Sequence, residues 1–323
     1  MPDFGYHASH EQFAPGDLVA RAREAEAAGF TDVLASDHFQ PWSERQGEAG
    51  FVWSWLGSAM EATSLTYGTV NAPGYRYHPA VVAQAAATLR SMYPERFWLT
   101  VGSGELLNEH ITGERWPTKE ERNAVLEESV AVMRRLWRGE TVTHRGHVTV
   151  EEATLYTRPE TPPPVFGAAL STETAAWLAD WADGMLTVAT PDVDRLARIV
   201  RAFRDRAPDK PVAVKAQLSY DADEETALAG AYDQWRTNCV AGPVVENLRT
   251  TEQFDTAGES VSRDEVRQNV QVSADLDEHR SWLADIAALD VDRVYLHNVN
   301  RRQEQFVERF GDAVVPALAG GDR

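Results

Sequence analysis

The 323-residue chain has 50 acidic and 31 basic side chains and a formal net charge of −19, which disfavours nucleic acid and anionic membrane surfaces as partners. No apolar run approaches the roughly 20 residues that span a bilayer. No secretory segment is visible at the N-terminus, so we expect a cytoplasmic protein. The one cysteine, Cys239, excludes an internal disulfide framework and a cysteine-rich zinc site.

Strand-like and helix-like segments alternate along the chain, a pattern typical of parallel β/α units. Apolar or alternating runs predict eight strands, over residues 5–9, 32–35, 65–70, 97–101, 164–169, 184–189, 211–220 and 292–299. Helical periodicity between the strands is clearest from Val125 to Trp137. We therefore expect an α/β fold, a (β/α)8 TIM barrel, with residues 1–323 forming a single domain.

Two segments fall outside the eight units. Residues 141–156 alternate in polarity and turn at Arg145 and Gly146, which predicts a β-hairpin inserted after the fourth helix. Residues 221–263 are polar and helical, which predicts a second insertion near the seventh strand.

Polar side chains follow two of the predicted strands. Asp37, His38 and Trp42 come after the second strand, and the fourth strand opens into a loop with Glu105 and Asn108. Active sites of barrel enzymes lie at the carboxyl ends of the strands. These two loops therefore predict acid and base groups on one face of the barrel.

The residue types favour hydride-transfer chemistry. When a hydride leaves a carbinol carbon, a base must take the hydroxyl proton, and the imidazole of His38 suits that task near neutral pH. A carboxylic acid such as Glu105 can exchange a second proton if burial tunes its pKa. Neither group accepts a hydride, so a cofactor is required. No dinucleotide-binding Gly-x-Gly-x-x-Gly turn is present, and a flavin-type ring across the barrel mouth fits the fold better.

At these positions the sequence resembles a known family. The matching segments are residues 11–15, 36–42, 76–80, 102–105, 108–109 and 112–113. They resemble the luciferase-like group of flavin- and deazaflavin-dependent oxidoreductases, and more narrowly the branch that contains coenzyme F420-dependent glucose-6-phosphate dehydrogenases.

The resemblance implies roles for individual residues. His38 would be the base that takes the substrate hydroxyl proton, and Glu105 would be the acid that serves the deazaflavin ring. Trp42 and Glu11 would contact the substrate. The cofactor contacts would come from residues at four strand ends, namely Asp37, Thr69, Val70, Asn71, Ser103, Gly104, Asn108, Ala168 and Ala169. A non-prolyl cis peptide bond of the family would fall within residues 69–71, and the assembly would be a homodimer.

Departures from the family pattern bear on the substrate and the cofactor. The sugar-phosphate enzymes bring lysine to the phosphate from regions that here read 188–192 and 266–269, where Arg267 is the single candidate cation. We therefore expect a neutral or apolar alcohol or carbonyl compound and not glucose 6-phosphate. Coenzyme F420 is the expected cofactor because His38 and Glu105 suit hydride transfer, and FMN is the alternative.

Two other classes of function compete with this interpretation. Four histidines near predicted strand ends, His7, His10, His38 and His297, are candidates for the metal site of a barrel hydrolase. Zinc needs three or four converging donors, and the His7 to His10 spacing suits this poorly on a strand, so we expect no metal site. A flavin-binding or partner-binding barrel without catalysis is the third possibility, but it leaves His38 and Glu105 without a role.

Overall fold

The computed structural model describes residues 1–240 and 242–318. Its eleven strands in that part of the chain are β1 (Asp3–Ala8), β2 (Asp32–Ala35), β3 (Thr66–Asn71), β4 (Phe97–Val101), β5 (Val142–Arg145), β6 (Thr149–Ala153), β7 (Val165–Ala168), β8 (Gly184–Ala189), β9 (Val212–Tyr220), β10 (Gln271–Ser273) and β11 (Arg293–Asn298).

The α-helices of the described residues follow the strands in chain order. They are α1 (Pro15–Ala27), α2 (Val52–Ala62), α3 (Pro79–Met92), α4 (Leu106–Glu109), α5 (Lys119–Trp137), α6 (Thr172–Trp181), α7 (Val193–Arg204), α8 (Glu224–Trp235), α9 (Gly242–Val245), α10 (Thr251–Gly258), α11 (Arg263–Asn269), α12 (Leu276–Ala287), α13 (Gln303–Ala313) and α14 (Val315–Leu318). Two short 3-10 helices cover His110–Thr112 and Arg236–Cys239.

Eight parallel strands close into a barrel. Their order is β1, β2, β3, β4, β7, β8, β9 and β11, and β11 pairs with β1 to complete the ring. The predicted (β/α)8 architecture is confirmed, with observed strand bounds within two residues of the predicted ones. All carboxyl ends of the barrel strands consequently lie at one mouth.

Both predicted insertions are present. β5 and β6 form the antiparallel hairpin after α5. The segment after β9 contains α8 to α11 and extends beyond the predicted end at residue 263 to β10, which pairs with residues 218–220 of β9. β10 was not predicted, because three residues are too few to display a period.

Side chains of the barrel strands alternate between two apolar layers. Outward-facing residues such as Val33 and Leu99 pack against the helices in the main core. Six inward-facing residues form a plug inside the barrel, namely Leu34, Trp98, Phe166, Leu186, Ala213 and Tyr295. Gly68 makes room for the largest of them, because a Cβ atom there would lie 2.2 Å from the Trp98 ring. The plug closes the barrel below the polar groups at its mouth.

Among the described residues, no helix has the length and apolar character needed to cross a membrane.

Candidate active site

The structure brings His38 together with two carboxylates at the barrel mouth. Its Nε2 lies 3.3 Å from Oε1 of Glu11 and 4.0 Å from Oε2 of Glu105. Glu11 follows β1, His38 follows β2 and Glu105 follows β4, so three strand ends supply the cluster. The predicted proximity of His38 and Glu105 is therefore confirmed by the geometry.

Glu11 is a buried carboxylate with several donors. Its Oε2 accepts hydrogen bonds from the hydroxyls of Ser9 at 2.9 Å and Ser36 at 2.6 Å. Burial alone would raise the pKa of Glu11, but the charge of His38 and these hydrogen bonds outweigh it and hold the pKa below its usual value. Glu11 is thus ionised and is the carboxylate that lies nearest to Nε2 of His38.

Glu105 has the opposite electrostatic character. It precedes α4, and its side chain is 50% exposed where it projects into the mouth. The protein that surrounds the mouth nevertheless excludes much of the water, and this desolvation raises the pKa of Glu105, only partly offset by His38 and Lys215. Two carboxyl groups on either side of one imidazole therefore differ in their tendency to hold a proton.

Asn108 fixes the loop that carries His38. Its Oδ1 accepts a hydrogen bond from the Phe39 amide at 2.9 Å, and its Nδ2 lies 3.1 Å from Nδ1 of His38. The Gln40 carbonyl lies 3.3 Å from the same Nδ1. These contacts orient the ring so that Nε2 faces Glu11 and Glu105. The predicted contact of Asn108 with a cofactor stays a prediction.

A second charged network lies behind the loop of His38. Arg76 pairs with Asp37 at 3.4 Å and with Glu109 at 3.2 Å, and its Nη2 also donates to the Asp37 carbonyl at 2.6 Å. The hydroxyl of Tyr77 and the Nδ2 of Asn71 donate to the Asp37 carboxylate at 3.1 and 2.6 Å. The carboxylate of Asp37 is therefore bound mainly by the protein.

Burial has the largest effect on the pKa values of the two carboxyl groups in this network. Desolvation raises the pKa of Asp37 and of Glu109, and the guanidinium of Arg76 only partly offsets the effect. The sequence motif 76–80 had marked Arg76 only as part of a resemblance. Its role as the shared cation of two buried carboxylates was not predicted, because it depends on groups 39 and 33 residues away.

One polar atom of the network lacks a partner. With Nδ2 of Asn71 donating to Asp37, the Oδ1 of Asn71 is a buried acceptor that no described residue hydrogen-bonds. The Oγ1 of Thr100, on the neighbouring strand, is also buried and unpaired. Next to them, a Cβ atom on Gly102 would meet only Ala168, at 3.7 Å. Small residues and unsatisfied acceptors leave room for a flat ring with N–H donors at this edge of the mouth.

The other residues predicted to contact a cofactor lie around the same edge. The hydroxyl of Ser103 accepts a hydrogen bond from Lys119 at 2.7 Å, and Gly104 has a left-handed φ of 80° that leads the chain into α4. Ala168 ends β7, and the amide of Ala169 donates to the Leu186 carbonyl at 2.9 Å. Donors for a phosphate at this position would therefore come from the start of α6, and the roles of Ala168 and Ala169 stay predictions.

The expected cis peptide bond is absent. Thr69, Val70 and Asn71 continue β3 and pair in regular register with β4, and every described peptide bond is trans. The hydroxyl of Thr69 donates to the Ala35 carbonyl at 3.1 Å, and Val70 packs against the barrel plug. The expectation was wrong because β3 pairs regularly with β4 to its last residue. This pairing is compatible with trans peptide bonds, which are lower in energy.

Trp42 forms one wall of the mouth. Its ring lies 4.9 Å from that of His38 and 5.2 Å from that of Phe254 on α10. The second insertion therefore encloses the side of the site where Trp42 was expected to meet a substrate.

The candidate histidines do not form a metal centre in the described part of the chain, where no group of three His, Cys, Asp or Glu side chains is placed to hold an ion. The rings of His7 and His297 lie 4.3 Å apart, and His10 packs on the edge of Trp55. Burial lowers the pKa of His10 to about 4 and keeps His7 and His297 uncharged near neutrality. These histidines form a neutral layer below the mouth.

Comparison with known proteins identifies the family. Residues 2–293 match the family model of luciferase-like monooxygenases. The chain belongs to this family. It is 34% identical to an F420-dependent glucose-6-phosphate dehydrogenase of Tsukamurella paurometabola, over 97% of this chain and 97% of the relative. It is 35% identical to the enzyme of the same name from Intrasporangium calvum, over 99% of this chain and 100% of the relative.

A solved structure also resembles this luciferase-like protein along its whole length. An F420-dependent secondary alcohol dehydrogenase, in complex with an F420-acetone adduct, superposes with a TM-score of 0.90 and 29% identity, over 98% of this chain and 99% of the other. A coenzyme F420-dependent tetrahydromethanopterin reductase from Methanopyrus kandleri, with a TM-score of 0.79 and 19% identity over 98% of this chain and 99% of the other, shares the fold.

Proposed function

We propose that this protein is a coenzyme F420-dependent oxidoreductase that transfers a hydride between the deazaflavin and an alcohol or carbonyl compound. One observation carries the proposal: Nε2 of His38 faces an ionised carboxylate at 3.3 Å and a second carboxyl group at 4.0 Å. The relatives named for F420-dependent dehydrogenation support the choice of cofactor.

Each member of the cluster has a distinct task in this proposal. His38 accepts the hydroxyl proton of an alcohol, or returns it to a carbonyl in the reverse direction. Glu11 stabilises the imidazolium that forms, because it lies at Nε2 and is ionised. Glu105 holds or releases a proton on the other side of His38, a role for which a raised pKa is suited.

The residues around the mouth fit a deazaflavin. Such a ring supplies the carbon that accepts or donates the hydride when it is bound. The unpaired Oδ1 of Asn71 would accept a ring N–H, and the space above Gly102 and Ala168 would admit the flat ring. Asp37 holds Asn71 in this orientation, whereas Ser103, Gly104 and Asn108 would border the cofactor.

The substrate is proposed to differ from glucose 6-phosphate, although curated relatives are named for it. Arg267, the single cation in the two regions where related enzymes supply lysine, pairs with Glu224 at 2.8 Å between α11 and α8. The loop after β8, residues 190–192, contains no cation. The phosphate contacts expected for a sugar phosphate therefore have no counterpart at these positions.

The proposal also covers domain organisation, cellular location and assembly. The chain acts as a single domain, it works in the cytoplasm and it assembles as a homodimer. Size-exclusion chromatography with light scattering measures the assembly directly.

The test is a fluorescence titration of the purified full-length protein with coenzyme F420 and, separately, with FMN. We expect tight binding of F420 and weak binding of FMN. The F420 complex should then reduce the cofactor with secondary alcohols such as propan-2-ol and fail to do so with glucose 6-phosphate. Tight binding of FMN alone would replace the proposal with an FMN-dependent reductase or monooxygenase of the same family.

A further inference from the structure

Two side chains of β9 face the barrel mouth without taking part in the site described above. Val214, Ala216 and Leu218 of this strand belong to the outer core, whereas Ala213 belongs to the inner plug. Since side chains alternate along a strand, Lys215 and Gln217 point to the interior of the barrel, one and two steps above Ala213 towards the mouth. Both are half-buried.

Lys215 is held in place by rings and not by a counter-ion. Its Nζ lies 5.5 Å from the centre of the Trp235 ring, which stands perpendicular to the ring of His297 at 4.7 Å. Within the described part of the chain, its ammonium makes neither a hydrogen bond nor a direct ion pair. The three N–H donors of this ammonium therefore have no acceptor among the described residues.

The carboxylates that face Lys215 do not neutralise it by contact. Glu11 is engaged by His38, Ser9 and Ser36, and Glu105 holds its proton more readily than an exposed carboxyl group. Burial lowers the pKa of Lys215, and the charges of Glu11 and Glu105 partly offset this effect. The charge of Lys215 therefore interacts with the acid and base groups of the site, although it does not contact them.

The histidines beneath Lys215 add no positive charge near neutral pH. His7 and His297 are buried, and both burial and the nearby ammonium hold the pKa of each well below its usual value. His297 has its Nε2 3.2 Å from Oε1 of Gln12, whose own Nε2 donates to the Val299 carbonyl at 2.7 Å. Lys215 thus lies next to two histidines that are uncharged near neutral pH.

Gln217 supplies a second donor group above Lys215. Its carboxamide makes no side-chain hydrogen bond within residues 1–240 and 242–318. An ammonium and a carboxamide on consecutive inward positions of one strand together offer several N–H donors to an oxygen-rich group. A carboxylate or a phosphate has the charge and the acceptor geometry to satisfy both.

We propose that Lys215 and Gln217 form a substrate subsite that binds an anionic oxygen group, a carboxylate or a phosphate, of the alcohol or carbonyl compound. The inference rests on the proposed function for the position of the reacting carbon near His38. It changes the expectation of a neutral or apolar substrate to one that carries an anionic group, because a neutral alcohol leaves the ammonium desolvated and unpaired. The subsite arises from the barrel wall and is independent of the two regions that lack lysine.

The experiment measures binding of two probes, pyruvate and inorganic phosphate, to the full-length protein by calorimetry, with and without bound F420. The variants are Lys215→Met and Gln217→Leu, each of which removes the N–H donors and leaves an apolar side chain of roughly similar size. Lys210→Met is the matched control, because Lys210 lies before β9, at the opposite end of that strand from the mouth, and donates to the Ala179 carbonyl. Thermal unfolding establishes that each variant is folded.

We expect at least one probe to bind wild type, Lys215→Met to weaken its binding by about tenfold or more, and Gln217→Leu to weaken it by a smaller factor. Lys210→Met should bind as wild type does. A preference for pyruvate assigns a carboxylate to the subsite, and a preference for phosphate assigns a phosphate ester. Binding that is equal in wild type and Lys215→Met, or absent from wild type, would overturn the subsite.

A separate result distinguishes failure of the subsite from failure of the proposed function. If a probe still binds in a Lys215-dependent way but F420 does not bind, the subsite is supported and the proposed cofactor is wrong. If F420 binds equally to wild type and Lys215→Met and the wild-type complex oxidises propan-2-ol, but neither probe binds in a Lys215-dependent way, the proposed cofactor is supported and the subsite is wrong.

Discussion

Nε2 of His38 lies 3.3 Å from Oε1 of Glu11, whose other oxygen accepts hydrogen bonds from two serine hydroxyls. Glu11 had been expected to meet a substrate on the strength of a resemblance. The structure places it against His38, closer than Glu105 at 4.0 Å, and its contact with a substrate stays a prediction. The proposed base therefore has a buried carboxylate as its nearest charged neighbour.

Replacement of His38 tests the proposed base. His38→Asn should bind F420 as wild type does, because the proposed contacts of the cofactor ring lie on other residues, and should lose about 100-fold or more in turnover. Fluorescence titration measures binding, and cofactor reduction under steady-state conditions measures turnover. Turnover equal to that of wild type would remove His38 from the mechanism.

Replacement of Glu11 tests its role as the partner of His38. Glu11→Gln keeps the shape of the side chain and removes the charge, so turnover should fall by about tenfold or more, the effect of losing one charge-assisted hydrogen bond. Glu160→Gln, an exposed carboxylate in the connector before β7, should leave kcat unchanged. If Glu11→Gln changes KM and leaves kcat unchanged, Glu11 contacts the substrate and is not the partner of the proposed base.

Arg76 should contribute strongly to stability. Arg76→Met leaves Asp37 and Glu109 buried without their shared cation, and we expect a loss of about 3–5 kcal/mol in the free energy of unfolding. Arg115→Met, which breaks an exposed pair with Glu121, should cost less than about 1 kcal/mol. Urea denaturation measures both values, and equal losses would contradict the assignment of Arg76.

The barrel plug sets a steric limit at Gly68. Gly68→Ala would place a Cβ atom 2.2 Å from the Trp98 ring, which has little room to move inside the plug. We expect a destabilisation of about 1–3 kcal/mol by urea denaturation. Gly57→Ala is the control, since a Cβ atom there meets nothing within 4 Å in α2 and should stabilise by about 0.5–1 kcal/mol. A neutral Gly68→Ala would show that the interior is loosely packed.

His279 should make stability depend on pH. It is buried against Phe310, and burial lowers its pKa from 6.5 to about 4. The unfolded chain then binds the proton more readily, so the contribution to stability is complete above pH 6.5 and is lost as pH falls towards 4. Between pH 7.5 and pH 5, wild type should lose about 2 kcal/mol more than His279→Gln.

A control accompanies the pH measurement. His147 is exposed on the turn of the β-hairpin, and His147→Gln should keep the pH dependence of wild type. Urea unfolding at the two pH values gives each free energy. Parallel pH profiles for wild type and His279→Gln would mean that folding does not lower the pKa of His279.

Several features of the site could be predicted from short segments. Residues 36–42 and 102–105 follow strands, and polar residues at the ends of parallel strands must meet at one edge of a barrel. The positions of Lys215 and Gln217 also had a signal, because both alternate with apolar residues in 212–218. That signal was overlooked, since a lysine in an apolar strand is not expected to face the interior.

Other features depended on pairs of residues that are far apart in the chain. Arg76 contacts the Asp37 carbonyl across 39 positions, and no local pattern selects that partner. The trans peptide bonds of residues 69–71 follow from pairing of β3 with β4, which only the register reveals.

The sequence by itself determined the alternation of strands and helices, the barrel and the two loops that carry His38 and Glu105. It could do so because the burial of one face of a strand or helix imposes a period on neighbouring residues. Only the tertiary structure decided that Glu11 lies against His38, that Arg76 joins two carboxylates and that Lys215 makes no direct ion pair among the described residues. Those properties depend on closure of the barrel, which removes water from groups on different strands and fixes the distances at which their charges interact.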